Sequence, residues 1–169
     1  MAVTIREAKR ADCGRIGEIS TKSWQLAYQN ILPPDYLAAI RQEDRAARFE
    51  KVLESGSLMF VAEVDGMLVG FISGGRSRGG VHPDYDGEVY AIYIDPDYTK
   101  RGIGTLLLQS LENRLAAEGI QGVFAWMLVG NESRYFYEGL GGKKIAEDQF
   151  EIDGVSYPEI AYGWKIADR

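Results

Sequence analysis

The stretch DPDYTKRGIGTLLL, Asp95 to Leu108, sets an acidic turn, two basic residues and two glycines directly before a leucine-rich run. Apolar residues at Ile103, Leu106, Leu107, Leu111 and Leu115 keep a helical spacing, with Gly119 as a stop. The amides from Lys100 to Thr105 therefore fall at a helix N-terminus, where unpaired N–H groups and the positive end of the macrodipole favour an anion. Lys100 and Arg101 add mobile positive charge that suits a pyrophosphate better than a single carboxylate. A plain glycine turn ahead of a helix would look the same locally, so the flanking sequence has to decide. A P-loop needs a Gly-Lys-Ser/Thr ending, and a dinucleotide fingerprint needs a third glycine where this chain has Leu107.

Upstream of the loop, EVYAIYID (Glu88 to Asp95) reads as a strand, and GGRSRGGVHPDYDG (Gly74 to Gly87) as an irregular, mobile loop. LMFVAEV and MLVGFIS flank an Asp-Gly pair at Asp65 and Gly66, the mark of a tight hairpin. VTIREA opens the chain as a strand. It is followed by a helix carrying Ile16, Ile19, Trp24 and Tyr28, and by one or two more helices beginning at Pro34. Downstream, GVFAWMLV reads as a strand and NESRYFYEGLGG as a short helix capped by Asn131. A closing antiparallel pair follows, turning at Asp153 and Gly154. This order predicts a single domain over 1–169 of the α/β (α+β) class, a mixed sheet with helices on both faces.

A chain of 169 residues buries roughly two-thirds of the surface it exposes when unfolded. The formal net charge of -6 argues against nucleic acid, which needs a basic stripe, and mildly favours a cationic acceptor. No apolar run approaches a signal peptide's core or a membrane span, so a cytoplasmic protein with no membrane partner is expected. One cysteine, Cys13, and one histidine, His82, leave no metal cluster of His and Cys, and no metal is expected.

With its flanks included, the loop resembles that of the GNAT superfamily of N-acetyltransferases, whose acyl-CoA loop reads Gln/Arg-x-x-Gly-x-Gly/Ala between a strand and a helix. Thr99-Lys100-Arg101-Gly102-Ile103-Gly104 matches at the glycines and departs at Thr99. The likeness extends over nearly the whole chain, and implies a mostly antiparallel sheet with two splayed central parallel strands. It further implies acetyl-CoA as cosubstrate, cradled by Thr99 to Thr105, with its pantetheine arm pairing along Ile92, Tyr93 and Ile94 by strand addition.

The resemblance also distributes chemical roles. Glu88, fourteen positions before Gly102, matches the spacing of a catalytic glutamate that deprotonates the acceptor amine, whose pKa is about 10.4. On position alone it is equally a glutamate at a solvated strand end. Tyr137 matches a tyrosine that protonates the departing thiolate, while Tyr135 and Phe136 read as core or wall. Asn131 would contact the pantetheine region in addition to capping its helix, and backbone N–H groups of Ile92 or Tyr93 would stabilise the oxyanion. Trp24 and Tyr28, one helical turn apart, would form a wall of the acceptor site or else a core stripe.

Cys13, with no histidine near it in sequence, is the weaker candidate for an acetyl-carrying nucleophile, and direct attack in a ternary complex is expected instead. The acceptor implied is a small primary amine. A protein or peptide amine is the alternative, and a non-catalytic acyl-CoA sensor the reading from another class. The C-terminal strands could pair between protomers as a homodimer.

Overall fold

The computed structural model describes residues 2–169. In chain order it shows β1 (Val3–Glu7), α1 (Cys13–Ala27), α2 (Pro34–Ala38), α3 (Gln42–Glu54), β2 (Leu58–Val64), β3 (Met67–Arg76) and β4 (Gly87–Ile94). It continues with α4 (Ile103–Ala117), β5 (Gly122–Leu128), α5 (Arg134–Gly139), β6 (Lys143–Ile152) and β7 (Val155–Lys165). The strands are ordered β1-β2-β3-β4-β5-β7-β6 in a seven-stranded sheet. β1–β2, β2–β3, β5–β7 and β6–β7 pair antiparallel, while β4 and β5 pair in parallel, Gly87–Val89 against Val123–Ala125. This is the mixed, mostly antiparallel α/β class read from the sequence. Among the described residues no helix is long and apolar enough to cross a membrane.

Two compact units divide the chain. One holds the chain up to Gly74 together with Ala91–Leu111, the other Gly75–Tyr90 together with Glu112–Arg169.

In the first unit, α1 and α3 pack through a close approach at Gly17, where a Cβ would lie 2.6 Å from the Gln42 carbonyl oxygen. Ile16 and Ile19 from α1, Phe49 from α3, and Met59, Val61 and Phe71 from the hairpin form a dry core. Each such side chain contributes about 1.5–3 kcal/mol when fully buried. Phe49 meets Phe71 edge-on at 4.9 Å between centroids. The hairpin turns where the sequence indicates, with left-handed φ of 51° at Asp65 and 78° at Gly66.

In the second unit, β7 lies between β5 and β6, and the β6–β7 turn uses left-handed φ at Asp153 and Gly154 as expected. The buried Glu112 carboxylate accepts the Trp164 indole N–H at 2.8 Å and the Arg169 Nε at 2.9 Å, so its charge is paired. Strand β6, at the end of the sheet, is largely exposed, with Ile152 buried, and carries a register shift between Lys144 and Ala146.

The glycine-rich connection departs from the expected loose loop. β3 extends to Arg76, two residues beyond Gly74, because Gly75 leaves room for the Tyr90 hydroxyl, which a Cβ would meet at 2.9 Å. The remaining loop is pinned at its ends: Ser77 N–H donates to the Asp86 carbonyl at 2.7 Å, and Tyr85 lies over Gly163 and Gly122. A Cβ on Gly163 would come 2.8 Å from the Tyr85 ring, and one on Gly122 would come 2.1 Å from the Asp84 carbonyl oxygen. Lys165 covers the Tyr85 ring at 4.5 Å and donates to the same carbonyl at 2.6 Å.

Candidate functional site

The loop before α4 begins with a fixed turn. Asp95, buried at the end of β4, accepts the Asp97 N–H at 3.0 Å and an Arg15 Nη2–H at 2.6 Å, while its own N–H donates to the Val69 carbonyl at 2.7 Å. Burial works to raise its pKa, but the Asp97 amide and the Arg15 guanidinium outweigh it and hold the carboxyl below its ordinary value. Pro96–Tyr98 then make one 3-10 turn, which Thr99 closes by donating its hydroxyl to the Pro96 carbonyl at 3.2 Å.

Lys100 and Gly102 both take left-handed backbone, at φ of 61° and 79°, on either side of Arg101. A left-handed lysine is uncommon and strained, a cost typical of backbone shaped around a ligand. The Gly102 carbonyl accepts the first helical bond, from Leu106 N–H at 3.2 Å. The amides of Ile103, Gly104 and Thr105 thus belong to the first turn of a fifteen-residue helix, whose N–H groups have no partner within the helix. Thr99, Lys100, Arg101 and Gly102 are exposed, Gly104 and Thr105 half-buried, and Ile103 anchors the turn in the core. Arg101 lies over the Tyr98 ring at 5.1 Å and donates to the Asp97 carbonyl at 3.2 Å. The result is a run of first-turn helix amides flanked by the exposed cations Lys100 and Arg101, a grouping suited to a polyanion.

Ile92, Tyr93 and Ile94 are half-buried on the same unit's part of β4, and the Ile94 carbonyl accepts the Ser23 hydroxyl at 3.3 Å. The Trp24 and Tyr28 rings meet at a tilt of 54°, with 4.5 Å between centroids. Tyr28 is buried, only 4% exposed, and Trp24 is half-buried. The face of Trp24 is covered by the Arg45 guanidinium at 4.6 Å, a residue that sequence reading missed because the contact joins α1 to α3. The one available signal was a pair of arginines, Arg45 and Arg48, three apart on a helix in an acidic chain.

Glu88 is not on a solvated strand end. It is 2% exposed, and both its oxygens are engaged by Arg78, whose backbone N–H donates to Oε1 at 2.9 Å and Nη2 to Oε2 at 2.9 Å. The guanidinium also lies 4.0 Å from the centre of the Tyr90 ring, and the Tyr90 hydroxyl donates to the Arg76 carbonyl at 2.6 Å. Burial and then the Glu88 charge push the Tyr90 phenol up.

Tyr137 is buried on α5 and stacks on Trp164 at 5.3 Å and 24°. Its carbonyl accepts the Gly142 N–H at 2.9 Å, in a glycine helix stop where a Cβ on Gly142 would come within 2.5 Å of that oxygen. Asn131 does not begin the helix: Ser133 holds the N-cap position, and Asn131 Oδ1 accepts the Ser133 N–H at 2.9 Å in an Asx turn one step earlier. Cys13 is fully buried, and burial raises its thiol pKa, which suits packing and not nucleophilic attack.

Comparison with known proteins bears on the family and the fold. Residues 5–141 match the model of the acetyltransferase (GNAT) family. The chain is 37% identical over 165 residues to the uncharacterized N-acetyltransferase YuaI of Bacillus subtilis (strain 168), spanning 96% of this chain and 92% of that one. In fold it is similar to the PaiA N-acetyltransferase of Thermoplasma acidophilum solved with coenzyme A, with a TM-score of 0.73, 22% identity, and 98% and 99% of the two chains covered. It is also similar to a ribosomal-protein-alanine N-acetyltransferase from Brucella melitensis, with a TM-score of 0.73, 21% identity, and 96% and 99% covered.

Proposed function

Because the chain belongs to the acetyltransferase (GNAT) family, we propose that residues 1–169 act as one N-acetyltransferase domain that acetylates the primary amine of a small molecule. The observation that carries this reading is the alternation of left-handed Lys100 and Gly102 ahead of α4, which turns consecutive amides into an anion cradle. That cradle fits the pyrophosphate of acetyl-CoA, and the β4 segment Ile92–Ile94 offers extended backbone to the pantetheine arm.

Bound acetyl-CoA supplies the thioester carbonyl that the amine attacks directly. The chain's own residues then move protons and hold charge. Glu88 receives the amine proton, with Arg78 releasing one carboxylate oxygen as the acceptor arrives, and Tyr137 gives its proton to the departing sulfur. From a phenol near 10 to a thiol near 8.5, that transfer costs roughly 2 kcal/mol before local tuning. The N–H groups of Ile92 or Tyr93 steady the oxygen that gains charge. Asn131 orders the turn before α5, and Trp24, backed by Tyr28, forms part of the acceptor wall. An open depression of about 210 Å³, lined partly by Tyr36 on α2 and Arg45 on α3, offers room for a small acceptor group.

The test is acetyl-CoA-dependent release of free thiol across a panel of amino acids, polyamines, aminoglycosides and short peptides. Turnover confined to small amines is expected. Turnover of peptides alone would move the assignment to a protein acceptor, and silence in protein shown to bind CoA would favour a sensor.

A further inference from the structure

The cavity lined by Arg45 is unusual in its charge. Three arginines, Arg41, Arg45 and Arg48, face it against one acid, Asp44, in a chain whose formal net charge is -6. Arg41 has Glu43 at 3.7 Å. Arg45 makes no ion pair among those seen in the described residues, and its guanidinium is set between the Trp24 ring and the Ser20 hydroxyl. Arg45 is half-buried, and an arginine partly withdrawn from water usually gains a carboxylate, because removing a charge from water costs more than packing returns. Burial accordingly pulls the Arg45 guanidinium below its ordinary value.

What holds Arg45 in place leaves its recognition edge usable. The guanidinium lies over the Trp24 ring, 4.6 Å from its centre, and Nη1 donates to the Ser20 hydroxyl at 3.2 Å. A planar fork positioned on a ring is preorganised for a second flat group with two acceptor oxygens. The same stacking withdraws that face of Trp24 from a cationic acceptor, since the ring already carries a cation. Helix α1 links the cavity to the reaction: its Ser20 and Trp24 hold Arg45, and its Ser23 hydroxyl donates at 3.3 Å to the carbonyl of Ile94, in the strand segment assigned above to acetyl-CoA.

We propose that Arg45, supported by Arg48 and the wall of the cavity, binds the carboxylate of the acceptor, so that the substrate is an amino acid or another small amine bearing a carboxylate. This inference rests on the acetyltransferase reading and narrows it. A polyamine or a neutral amine offers Arg45 nothing. An acceptor with an anionic end and an amine end is held at the cavity by the first and presents the second for acetylation.

The experiment compares amino acids with their C-terminal amides as acceptors, in the wild type and in Arg45→Gln and Arg48→Gln, reading KM and kcat separately. The wild type is expected to show a KM for acids lower by about tenfold or more than for the matching amides, the scale of one charge-assisted hydrogen-bonded pair. Arg45→Gln closes that gap by raising the KM for acids alone, while its affinity for acetyl-CoA, measured by calorimetry, shows that it is folded. Arg48→Gln, on an exposed side chain, narrows the gap in the same direction and serves if Arg45→Gln does not fold.

Equal KM for acids and amides in the wild type overturns the proposal, as does a variant that raises both alike. If no amine is acetylated, the catalytic reading fails separately, and titration of the same acids and amides into CoA-loaded protein still reads the site. Binding of acids only, lost in Arg45→Gln, keeps the carboxylate site; no binding, or equal binding of amides, removes it. Inorganic phosphate bound as tightly as the amino acids makes it a general anion site and overturns the acceptor assignment.

Discussion

Arg78 holds both oxygens of Glu88, one with its backbone and one with its guanidinium, although Glu88 is buried and the Arg78 side chain is 64% exposed. A buried carboxylate is thus tethered to a loop by a cation that water can reach. Glu88→Gln keeps the shape and removes the charge. We expect kcat to fall by about 10²-fold or more with acetyl-CoA affinity unchanged. Thiol release and calorimetry measure the two, and an unaltered kcat would take Glu88 out of the mechanism. Arg78→Gln leaves the Glu88 charge with the backbone donor alone and should lower Tm by a few degrees, roughly what 1 kcal/mol does in a chain of this size.

Gly102 separates backbone conformation from space. A Cβ there would meet nothing within 4 Å, yet φ is 79°, so Gly102→Ala costs about 1–2 kcal/mol through conformation alone, or lets the cradle relax. The expected result is acetyl-CoA affinity weakened by about tenfold. Gly119→Ala carries the same kind of strain, at φ of 84° past the end of α4, and should lower Tm without touching that affinity. Equal affinities for the two variants would remove the loop from cosubstrate binding.

Much of this arrangement is local and so could be read from the sequence. The turns at Asp65–Gly66 and Asp153–Gly154 need left-handed backbone, which Asp-Gly supplies, and the run from Ile103 to Leu115 spells out a buried helix face. The start of α5 was misplaced by two residues because Asn131, Glu132 and Ser133 offer competing ways to satisfy the same amides, and an Asx turn won. The burial of Glu88 and the stacking of Arg45 on Trp24 were out of reach. Each depends on a partner brought in by tertiary packing, ten residues away in one case and twenty-one in the other.

Two carboxylates give the stability curve opposing slopes. Asp95 has a folded pKa below its ordinary 3.8, so its stabilisation is present above that value and is lost as pH falls through the lower, folded one. Glu159 is the reverse: burial first, then Asp148, raise it above 4.5, so the folded state gains stability as pH falls through that raised value. Glu159→Gln should therefore raise Tm at pH 7, and Asp95→Asn should flatten the loss of Tm below about pH 4. Thermal melts at closely spaced pH values check both signs.

Cys13 should behave as packing. A thiol reagent is expected to leave the native protein unlabelled and to react fully in denaturant, while acetyl-CoA alone leaves no acetyl group on the chain by intact mass. A stable acetyl adduct before acceptor is added would overturn direct transfer.

The end strand β6 has a bearing on how the molecule behaves in a crowd. Its length is studded with Lys143, Lys144, Glu147, Asp148 and Glu151, and its ladder is broken by the shift between Lys144 and Ala146. An incoming strand would have to match a kinked row of mixed charges and strip water from each, which is how sheet borders refuse recruits. Such a border favours solubility at high concentration and resistance to fibril growth.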